Sequence, residues 1–321
     1  MNRLYNIAKE ISKQKGVRML KYSIKRIILA VVTVFIIASI TFFAMNAIPG
    51  GPFAKEKAPE ARIQAVLEQR FNLDKPLGEQ FVLYLRNILQ GDFGISLKTG
   101  REISTTIFTS FGTSAKLGGM AVITALIFGL ALGSIAALNR GRNLDRTIIF
   151  FTTLFVAVPS FILATLLLLI FTNTLGWVSA WSIDSPSYVL PVIALALYPM
   201  SYITRLTKSS MLDVLGQDYI RTARAKGVRE QKVIAKHALR NALIPVVTYV
   251  GPLTAYILTG SLVVETVFTI GGLGTHFVTS INNRDYPMIM GTTIFLASLM
   301  VVMTLVSDLL YKAIDPKISF D

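Results

Sequence analysis

Long runs of apolar residues alternate with polar segments along the whole chain. Six runs approach or exceed the 18 or so apolar residues that a membrane-spanning helix requires. They are Ile24–Ile48, Thr113–Leu138, Thr147–Leu175, Tyr188–Leu206, Leu243–Phe268 and Pro287–Ile314. Because lipid offers the backbone no hydrogen-bonding partner, such segments are predicted to be α-helices. The pattern therefore predicts an all-α membrane protein with six transmembrane helices.

Small residues and prolines distinguish these spans from simple lipid anchors. In the second span a small residue recurs at every fourth position, which lets helix backbones approach closely. These residues are Ala121, Ala125, Gly129, Gly133 and Ala137. Prolines within spans remove backbone hydrogen bonds and favour kinks; they are Pro159, Pro191, Pro199 and Pro252. Closely packed, kinked helices suit a pathway that opens and closes.

Polar side chains on one face of the fifth span are candidates for lining such a pathway. Thr248, Tyr256 and Thr259 carry hydroxyls, and Pro252 lies on the same face at helical spacing. Hydroxyl groups in this arrangement line a polar route without burying a charge. The same groups also suit hydrogen bonding between helices, which contributes about 0.6 kcal/mol per pair, and both interpretations stay open.

The segment 49–112, between the first two spans, is predicted to form a small extracytoplasmic subdomain. It follows IPGGPF at 48–53, which ends the first helix. Two amphipathic stretches come next, one lined by Ile63, Val66, Leu67 and Phe71 and the other by Phe81, Tyr84, Leu85 and Ile88. GDFGISLKTG at 91–100 then predicts turns with a short strand.

Basic residues set the orientation of the spans. With the N-terminus inside, the inner segments 1–26, 139–146, 205–242 and 312–321 carry 22 of the 32 Lys and Arg residues. The short outer loops carry one, whereas the long 49–112 segment carries eight but crosses the membrane largely regardless of charge. Both termini are therefore predicted to be cytosolic, in a multi-pass plasma-membrane protein whose basic residues also meet anionic lipid.

The two ends of the chain are predicted to lie outside the membrane. Residues 1–18 precede the first helical unit at 19–48, and their apolar residues Leu4, Ile7 and Ile11 repeat at helical spacing. This pattern indicates an amphipathic helix on the inner membrane surface, and a disordered basic tail explains it equally well. The other five transmembrane helices are predicted to form a core at 113–314. Residues 315–321 are predicted to be a cytosolic tail.

The pattern of reactive residues argues against a catalytic or metal centre. The chain has no cysteine, and neither His237 nor His276 has Cys, Asp or Glu at metal-ligand spacing. No predicted span carries a charge at mid-membrane depth, whereas ion-coupled carriers usually depend on one. The phosphate-binding pattern GxxxxGK[ST] is also absent. We therefore predict no enzyme, no metal and no nucleic-acid partner, and expect the energy for any transport to come from another subunit.

The connection 205–242 combines nine Lys and Arg residues with a glycine near its middle. SSMLDVLGQDYIRTARAK has helical character and ends at Gly227, a suitable left-handed cap. REQKVIAKHALRNAL resumes as a second helix, which Pro245 is expected to stop at the membrane. The two helices form an elbow at Gly227, beside the small side chains of Ala223 and Ala225. Such a surface suits docking to a soluble protein.

These motifs resemble the permease subunits of binding-protein-dependent ABC transporters, the type I importers. DYIRTARAKG at 218–227 and HALRNALIP at 237–245 resemble the cytoplasmic coupling loop of the peptide and nickel branch. Three further segments fit the same branch: TFFAMNAIPGGPF at 41–53, ETVFTIGGLG at 265–274 and NRDYPMIMG at 283–291. The likeness runs from about Met19 to the end and is greatest to the B-type subunit of oligopeptide importers. Arg221 and Thr222 depart from the general pattern, which has Glu and Ala there.

The resemblance implies that the basic loop docks on a cytosolic ATPase. The residues concerned are Arg221, Ala223, Arg224, Ala225, Lys226, Gly227 and Arg229. Arg284, Asp285 and Tyr286 are expected to face outside, where an extracellular substrate-binding protein docks; a local turn held by an Arg284–Asp285 pair is the alternative.

The resemblance also implies an assembly and a cargo. The expected partners are a second, homologous permease subunit, two ATPase subunits that bind ATP and Mg²⁺, and the binding protein. This chain would bind no cofactor and would form half of an alternating-access pathway for oligopeptides. Dipeptides, nickel or metal chelates and glutathione are alternative cargoes within the family. A self-sufficient carrier or channel is the other alternative, which solute flux through the purified chain alone would identify.

Overall fold

The fold is helical throughout the residues that the computed structural model describes, which are 2–48, 74–259 and 261–314, with side chains described for 23–48, 74–258 and 261–308. Its helices are α1 (Asn2–Ala47), α2 (Leu77–Leu89), α3 (Ile103–Leu138), α4 (Asn143–Ala157), α5 (Ser160–Leu167), α6 (Val189–Leu215), α7 (Asp218–Ala225), α8 (Arg240–Thr259), α9 (Leu262–Val267), α10 (Leu273–Asn282) and α11 (Tyr286–Ile314). Within these ranges there is no strand, and the strand predicted in 91–100 reduces to one bridge between Ile95 and Glu102.

The prediction of six membrane spans agrees with the described helices. Five spans are long and apolar enough by length and composition to cross a membrane, and a bent pair of helices supplies the sixth. The five lie in α1, α3, α6, the region of α8 and α11. The bent pair is α4 and α5, whose axes differ in direction by 106°.

The third span is broken into two helices, where the sequence predicted only a kink at Pro159. Helix α4 ends at Ala157, and α5 begins at Ser160 and continues as a π-helical segment, Leu168–Thr174. Between them stands Pro159, which has no N–H to donate to the preceding turn. The proline therefore does more than kink the span: it separates two helices that run in different directions.

Helix boundaries near the loops also differ from expectation. Helix α3 begins at Ile103, ten residues before the predicted start of the second span, and α6 extends to Leu215. The expectation that Pro245 stops a helix is wrong, because Glu230–Lys232 and a π-helical segment, Val233–Leu239, run directly into α8. Membrane helices tolerate a proline because one lost hydrogen bond leaves the rest of the ladder intact and neighbours supply other partners.

The small residues of α3 bury their side of the helix against α6, as their spacing predicts. All five residues of the stripe are buried. A Cβ added at Gly129 would lie 2.7 Å from Ile203 Cγ2, and one at Gly133 would lie 2.5 Å from the carbonyl oxygen of Thr204. Helix α8 joins this core through Val246 and Leu253. The small size of the stripe residues, above all Gly129 and Gly133, thus sets the distance between α3 and α6.

The second amphipathic stretch of 49–112 forms α2, as predicted. Its aromatic residues rest on α1: the ring centroids of Phe81 and Phe42 are 5.2 Å apart, and those of Tyr84 and Phe42 are 5.4 Å apart. The first amphipathic stretch, Ile63 to Phe71, and most of IPGGPF lie outside the described residues, so the subdomain stays a prediction as a whole.

Helix α1 extends from Asn2 without a break at the predicted boundary between 18 and 19. Arg26 of α1 pairs with Asp308 of α11 at 3.0 Å, which joins the first and last spans. Residues 315–321 lie outside the described residues.

Candidate functional site

The chain turns sharply after α7, at the glycine that the sequence singled out. Gly227 has a φ angle of +72°. Its N–H donates to the carbonyl of Arg224 at 2.9 Å, and the N–H of Val228 donates to the carbonyl of Ala223 at 3.2 Å. These bonds close α7 with a left-handed cap. The helix before the elbow is shorter than predicted, because α6 ends at Leu215 and α7 begins at Asp218.

The elbow is anchored to the ends of the long helices. Ile220 of α7, Met211 of α6 and Val233 of the following helix are fully buried in one cluster with Ala137 at the end of α3. A polar contact adds to it, since the side-chain amide of Asn241 donates to the Tyr219 hydroxyl at 2.9 Å. Well-packed apolar contacts of this kind resist deformation, so a displacement of α7 carries over to the helices beneath it.

Most of the predicted coupling residues share one exposed surface. We call this the elbow surface, and it comprises Arg221, Arg224, Ala225, Lys226, Gly227 and Arg229. The seventh predicted residue, Ala223, is half-buried and packs against the anchoring cluster instead. Ala225 is therefore the small side chain on the accessible side of α7.

A forked ion pair bridges the two sides of the elbow. The Arg224 guanidinium donates to Glu230 through Nε at 3.1 Å and through Nη2 at 2.6 Å. These hydrogen bonds raise the pKa of Arg224 above its usual value. Glu230 was missed from the sequence, although its position just after the glycine is compatible with such a bridge. Arg224 thus braces the turn, whereas Arg221 lies 3.6 Å from Asp218 within α7.

The predicted pathway residues of α8 lie partly around a cavity of about 650 Å³. Pro252 and Tyr256 line it, whereas the hydroxyl of Thr248 donates to the carbonyl of Ile244 at 3.0 Å and Thr248 does not line it. The side chain of Thr259 lies outside the described residues. Sequence reasoning missed two lining tyrosines, Tyr198 and Tyr249. Their signal was aromatic residues at helical spacing, at 198 and 202 and at 249 and 256.

The NRDYP segment packs largely inward. Asp285 is 3% exposed and Tyr286 is 7% exposed. Asp285 accepts hydrogen bonds from the hydroxyl of Ser96 and, at 3.1 Å, from the N–H of Leu97. Asp285 therefore holds the 91–102 turn against the start of α11. Of the three predicted outer contacts only Arg284, with a φ angle of +54°, is partly exposed.

A second buried carboxylate organises the ETVFTIGGLG segment. Glu265 is 1% exposed and accepts hydrogen bonds from the hydroxyls of Ser114, at 2.7 Å, and Ser261, at 2.5 Å. Its other oxygen accepts from the N–H of Gly274 at 2.8 Å, in the first turn of α10. A Cβ at Gly272 would lie 2.4 Å from this carboxylate. The glycine at 272 thus makes room for a clamp that joins α3, α9 and α10.

No group of three or more His, Cys, Asp or Glu side chains that could hold a metal ion occurs among the described residues. His276, on α10, is one of the two histidines of the chain, and burial lowers its pKa below the usual value. At neutral pH its imidazole is therefore uncharged.

Family comparison identifies the architecture. Residues 129–320 match the family described as "Binding-protein-dependent transport system inner membrane component", and residues 19–118 match the description "Binding-prot-dependent transport system membrane comp, N-term". The chain belongs to this family. The permease is 46% identical over 302 residues to the dipeptide transport system permease protein DppB of Bacillus subtilis (strain 168), which covers 94% of this chain and 98% of that protein.

Two other comparisons agree. The permease is 40% identical over 306 residues to the oligopeptide transport system permease protein OppB of Haemophilus influenzae, across 94% of this chain and all of that protein. Its fold is similar to that of the MetNI methionine ABC transporter in inward-facing conformations, with a TM-score of 0.52 and 17% identity over 65% of this chain and 95% of that chain. The resemblance drawn from the motifs is confirmed, and the permease is an integral membrane protein with the type I ABC importer fold.

Proposed function

We propose that the permease forms half of the translocation pathway of an ATP-driven importer of oligopeptides. A second, homologous permease subunit supplies the other half, and two cytosolic ATPase subunits bind ATP and Mg²⁺ and drive the cycle. An extracellular binding protein delivers the peptide. In this arrangement both termini and the elbow lie in the cytosol, and the permease itself catalyses no covalent step.

The main observation that supports this proposal is the structure of the elbow. An accessible, basic surface around Gly227 stands on a buried anchor that reaches α3, α6 and the helix leading into α8. A docking surface that served only attachment would not need such an anchor. Because its base is close-packed, ATPase closure moves these three spans together and opens the pathway, and hydrolysis reverses the movement.

A bulky residue on the elbow surface tests the proposal. Ala225→Trp places an indole where the ATPase subunit must approach closely, which overpacks the contact. We expect the purified complex to lose its ATPase subunits or its stimulation by loaded binding protein. Val31→Trp on α1, where the native side chain is 64% exposed, is the matched control and should keep both properties. Wild-type behaviour of Ala225→Trp would refute docking at this surface.

Dipeptides are the second candidate cargo. The 46% identity to a relative named for dipeptide transport favours them, beside the 40% identity to one named for oligopeptides. Uptake of labelled tetra-alanine and di-alanine by the complete system, with nickel chelates and glutathione as competitors, separates these cargoes. Preferred uptake of the tetrapeptide supports our proposal, and uptake confined to the dipeptide replaces it.

The outer side is proposed to receive the binding protein. Arg284 is the accessible member of the predicted contact, and the nearby turn at 91–102 is held to the same helix by Asp285. Asp285 and Tyr286 act in this proposal by keeping the surface in place. The contact predicted for the NRDYP segment thereby becomes a contact through Arg284 and the neighbouring turn.

A further inference from the structure

The cavity of about 650 Å³ lies where the third span breaks. Its walls come from Pro159 and Ser160 at the break, from Tyr198 of α6, and from Tyr249 and Tyr256 of α8. Pro159 stands in the interior of its predicted span, and Tyr198 and Tyr249 belong to long apolar helices. The cavity is therefore at membrane depth, and its volume is in the range of about 300–1,000 Å³ that is typical of ligand sites.

The broken helix brings backbone polar groups to this cavity. Helix α4 ends at Ala157, and the N–H of Val158 still donates to the carbonyl of Leu154 at 3.0 Å. Pro159 has no N–H to donate to the carbonyl of Phe155, whereas its own carbonyl accepts from the N–H groups of Ile162 at 3.0 Å and Leu163 at 3.3 Å. Helix α5 leaves the break at 106°. Interrupted backbone at this depth is tolerated where it is buried in protein or lines a wet cavity. The break thus adds main-chain acceptors, and the first N–H groups of α5, to the tyrosine hydroxyls.

The described lining of this cavity carries no charged side chain. Among the described residues that line it, none is Asp, Glu, Lys, Arg or His. The inner amide groups of a peptide are neutral and need no compensating charge there. Hydroxyls and main-chain groups together offer both donors and acceptors, which is what a peptide backbone requires.

The two tyrosine-bearing walls are the helices that the elbow connects. Helix α6 runs towards α7, and α8 continues the helix that begins at Glu230. The rings of Tyr202 on α6 and Tyr249 on α8 lie across from each other with centroids 4.2 Å apart. A displacement of the elbow that changes the angle between α6 and α8 therefore changes the width of the cavity.

We propose that this cavity is a transit site that holds the backbone of the passing peptide through its amide groups. The hydroxyls of Tyr198 and Tyr249 and the main-chain groups left free just before Pro159 replace the hydrogen bonds to water that the amides lose on entering the membrane. Recognition of the backbone alone makes the site tolerant of peptide side chains. The inference rests on the proposed function, since it names how the cargo of that pathway is held.

Removal of the two hydroxyls tests the transit site. The complete system, with both permease subunits, the ATPase subunits and saturating loaded binding protein, is reconstituted in liposomes. Tetra-alanine moved per ATP hydrolysed is measured for the wild type and for Tyr198→Phe with Tyr249→Phe. One hydrogen bond contributes about 1 kcal/mol, which is roughly a five-fold effect. We expect this ratio to fall about five-fold for each single variant and further for the pair.

Two matched comparisons make the result specific. Tyr202→Phe keeps the stacked ring but removes a hydroxyl that does not line the cavity, so it should match the wild type. Tetra-alanine methylated at its amide nitrogens cannot donate those hydrogens but keeps its carbonyl acceptors, so the double variant should lose less of its ratio with this peptide than with tetra-alanine. An unchanged ratio for the double variant, or an equal loss in Tyr202→Phe, overturns the transit site. A wild-type system that moves no peptide refutes the proposed function itself.

Discussion

The backbone at position 227 has a φ angle of +72°, so only residues that tolerate the left-handed region fit there without strain. A Cβ added there would meet no atom within 4 Å, so the restriction comes from the backbone and not from crowding. We expect Gly227→Val to lose ATPase stimulation, because a β-branched residue in this region costs roughly 1–3 kcal/mol. Gly227→Asn should keep most of it, since asparagine visits this conformation readily. Equal loss in the two purified complexes would contradict the role of φ.

Glu265 is a residue whose loss leaves several buried donors without an acceptor. Glu265→Ala removes the partner of Ser114, Ser261 and the N–H of Gly274, and each unsatisfied group costs about 1–3 kcal/mol. We expect a strongly lowered thermal midpoint and little assembled complex. The control is Glu79→Ala, which removes only an exposed pair with Lys75 and should change the midpoint little. A normal midpoint for Glu265→Ala would disprove the clamp.

The sequence predicts the role of a residue only where the evidence for that role lies within a few positions of it. Gly227 was predictable because a glycine after a helical stretch is a signal within a few positions. The partners of Glu265 and Asp285 were not, because Ser114 lies 151 positions from Glu265 and Ser96 lies 189 from Asp285. Only the folded arrangement of helices brings such pairs together, and a single sequence holds no local trace of it.

The contact between α3 and α6 depends on residues without side chains. Gly133→Ala places a Cβ 2.5 Å from the Thr204 carbonyl oxygen and 2.6 Å from Thr207 Cβ, and overpacking of this kind costs about 1–3 kcal/mol. We expect a lower thermal midpoint for the solubilised permease. Gly119→Ala in the same helix meets nothing within 4 Å and should be neutral or slightly stabilising. Similar effects of the two changes would show that α3 and α6 do not pack through the stripe.

The fork between Arg224 and Glu230 supports α7 from across the turn. We expect Arg224→Glu and Glu230→Arg each to lower stimulated ATPase activity, because each replaces the attraction across Gly227 with repulsion between like charges. Combining them restores the opposite charges with their positions exchanged, so activity should recover substantially. Independent losses without recovery would instead place Arg224 in direct contact with the ATPase subunit.

The elements were predicted unevenly, for physical reasons. The apolar pattern predicts spans well because lipid imposes length and composition, and the four-residue spacing of the stripe follows from helix geometry. Pro159 and Pro245 give the same local signal, yet one ends a helix and the other lies inside one. What differs is the packing of neighbouring helices around them, which a single sequence does not reveal.

The whole molecule has a testable orientation. The permease contains no cysteine, so single cysteines report cleanly on accessibility. We expect Leu89→Cys on α2 to react with an impermeant thiol reagent in intact cells, because 49–112 is proposed to lie outside. Lys226→Cys on the elbow surface should react only after the cells are opened. The reverse pattern would invert the topology and place the elbow away from any cytosolic ATPase.

Pro245 and Pro252 stand inside α8 seven residues apart, which is nearly two full turns. Each removes the hydrogen bond to the carbonyl four residues earlier, at Asn241 and Thr248. The missing bonds thus fall along one side of the helix, while the opposite side keeps its ladder. Such a helix bends more easily in the plane that contains the missing hydrogen bonds than in any other plane. A force applied at the elbow therefore bends α8 in the plane that the spacing of Pro245 and Pro252 defines.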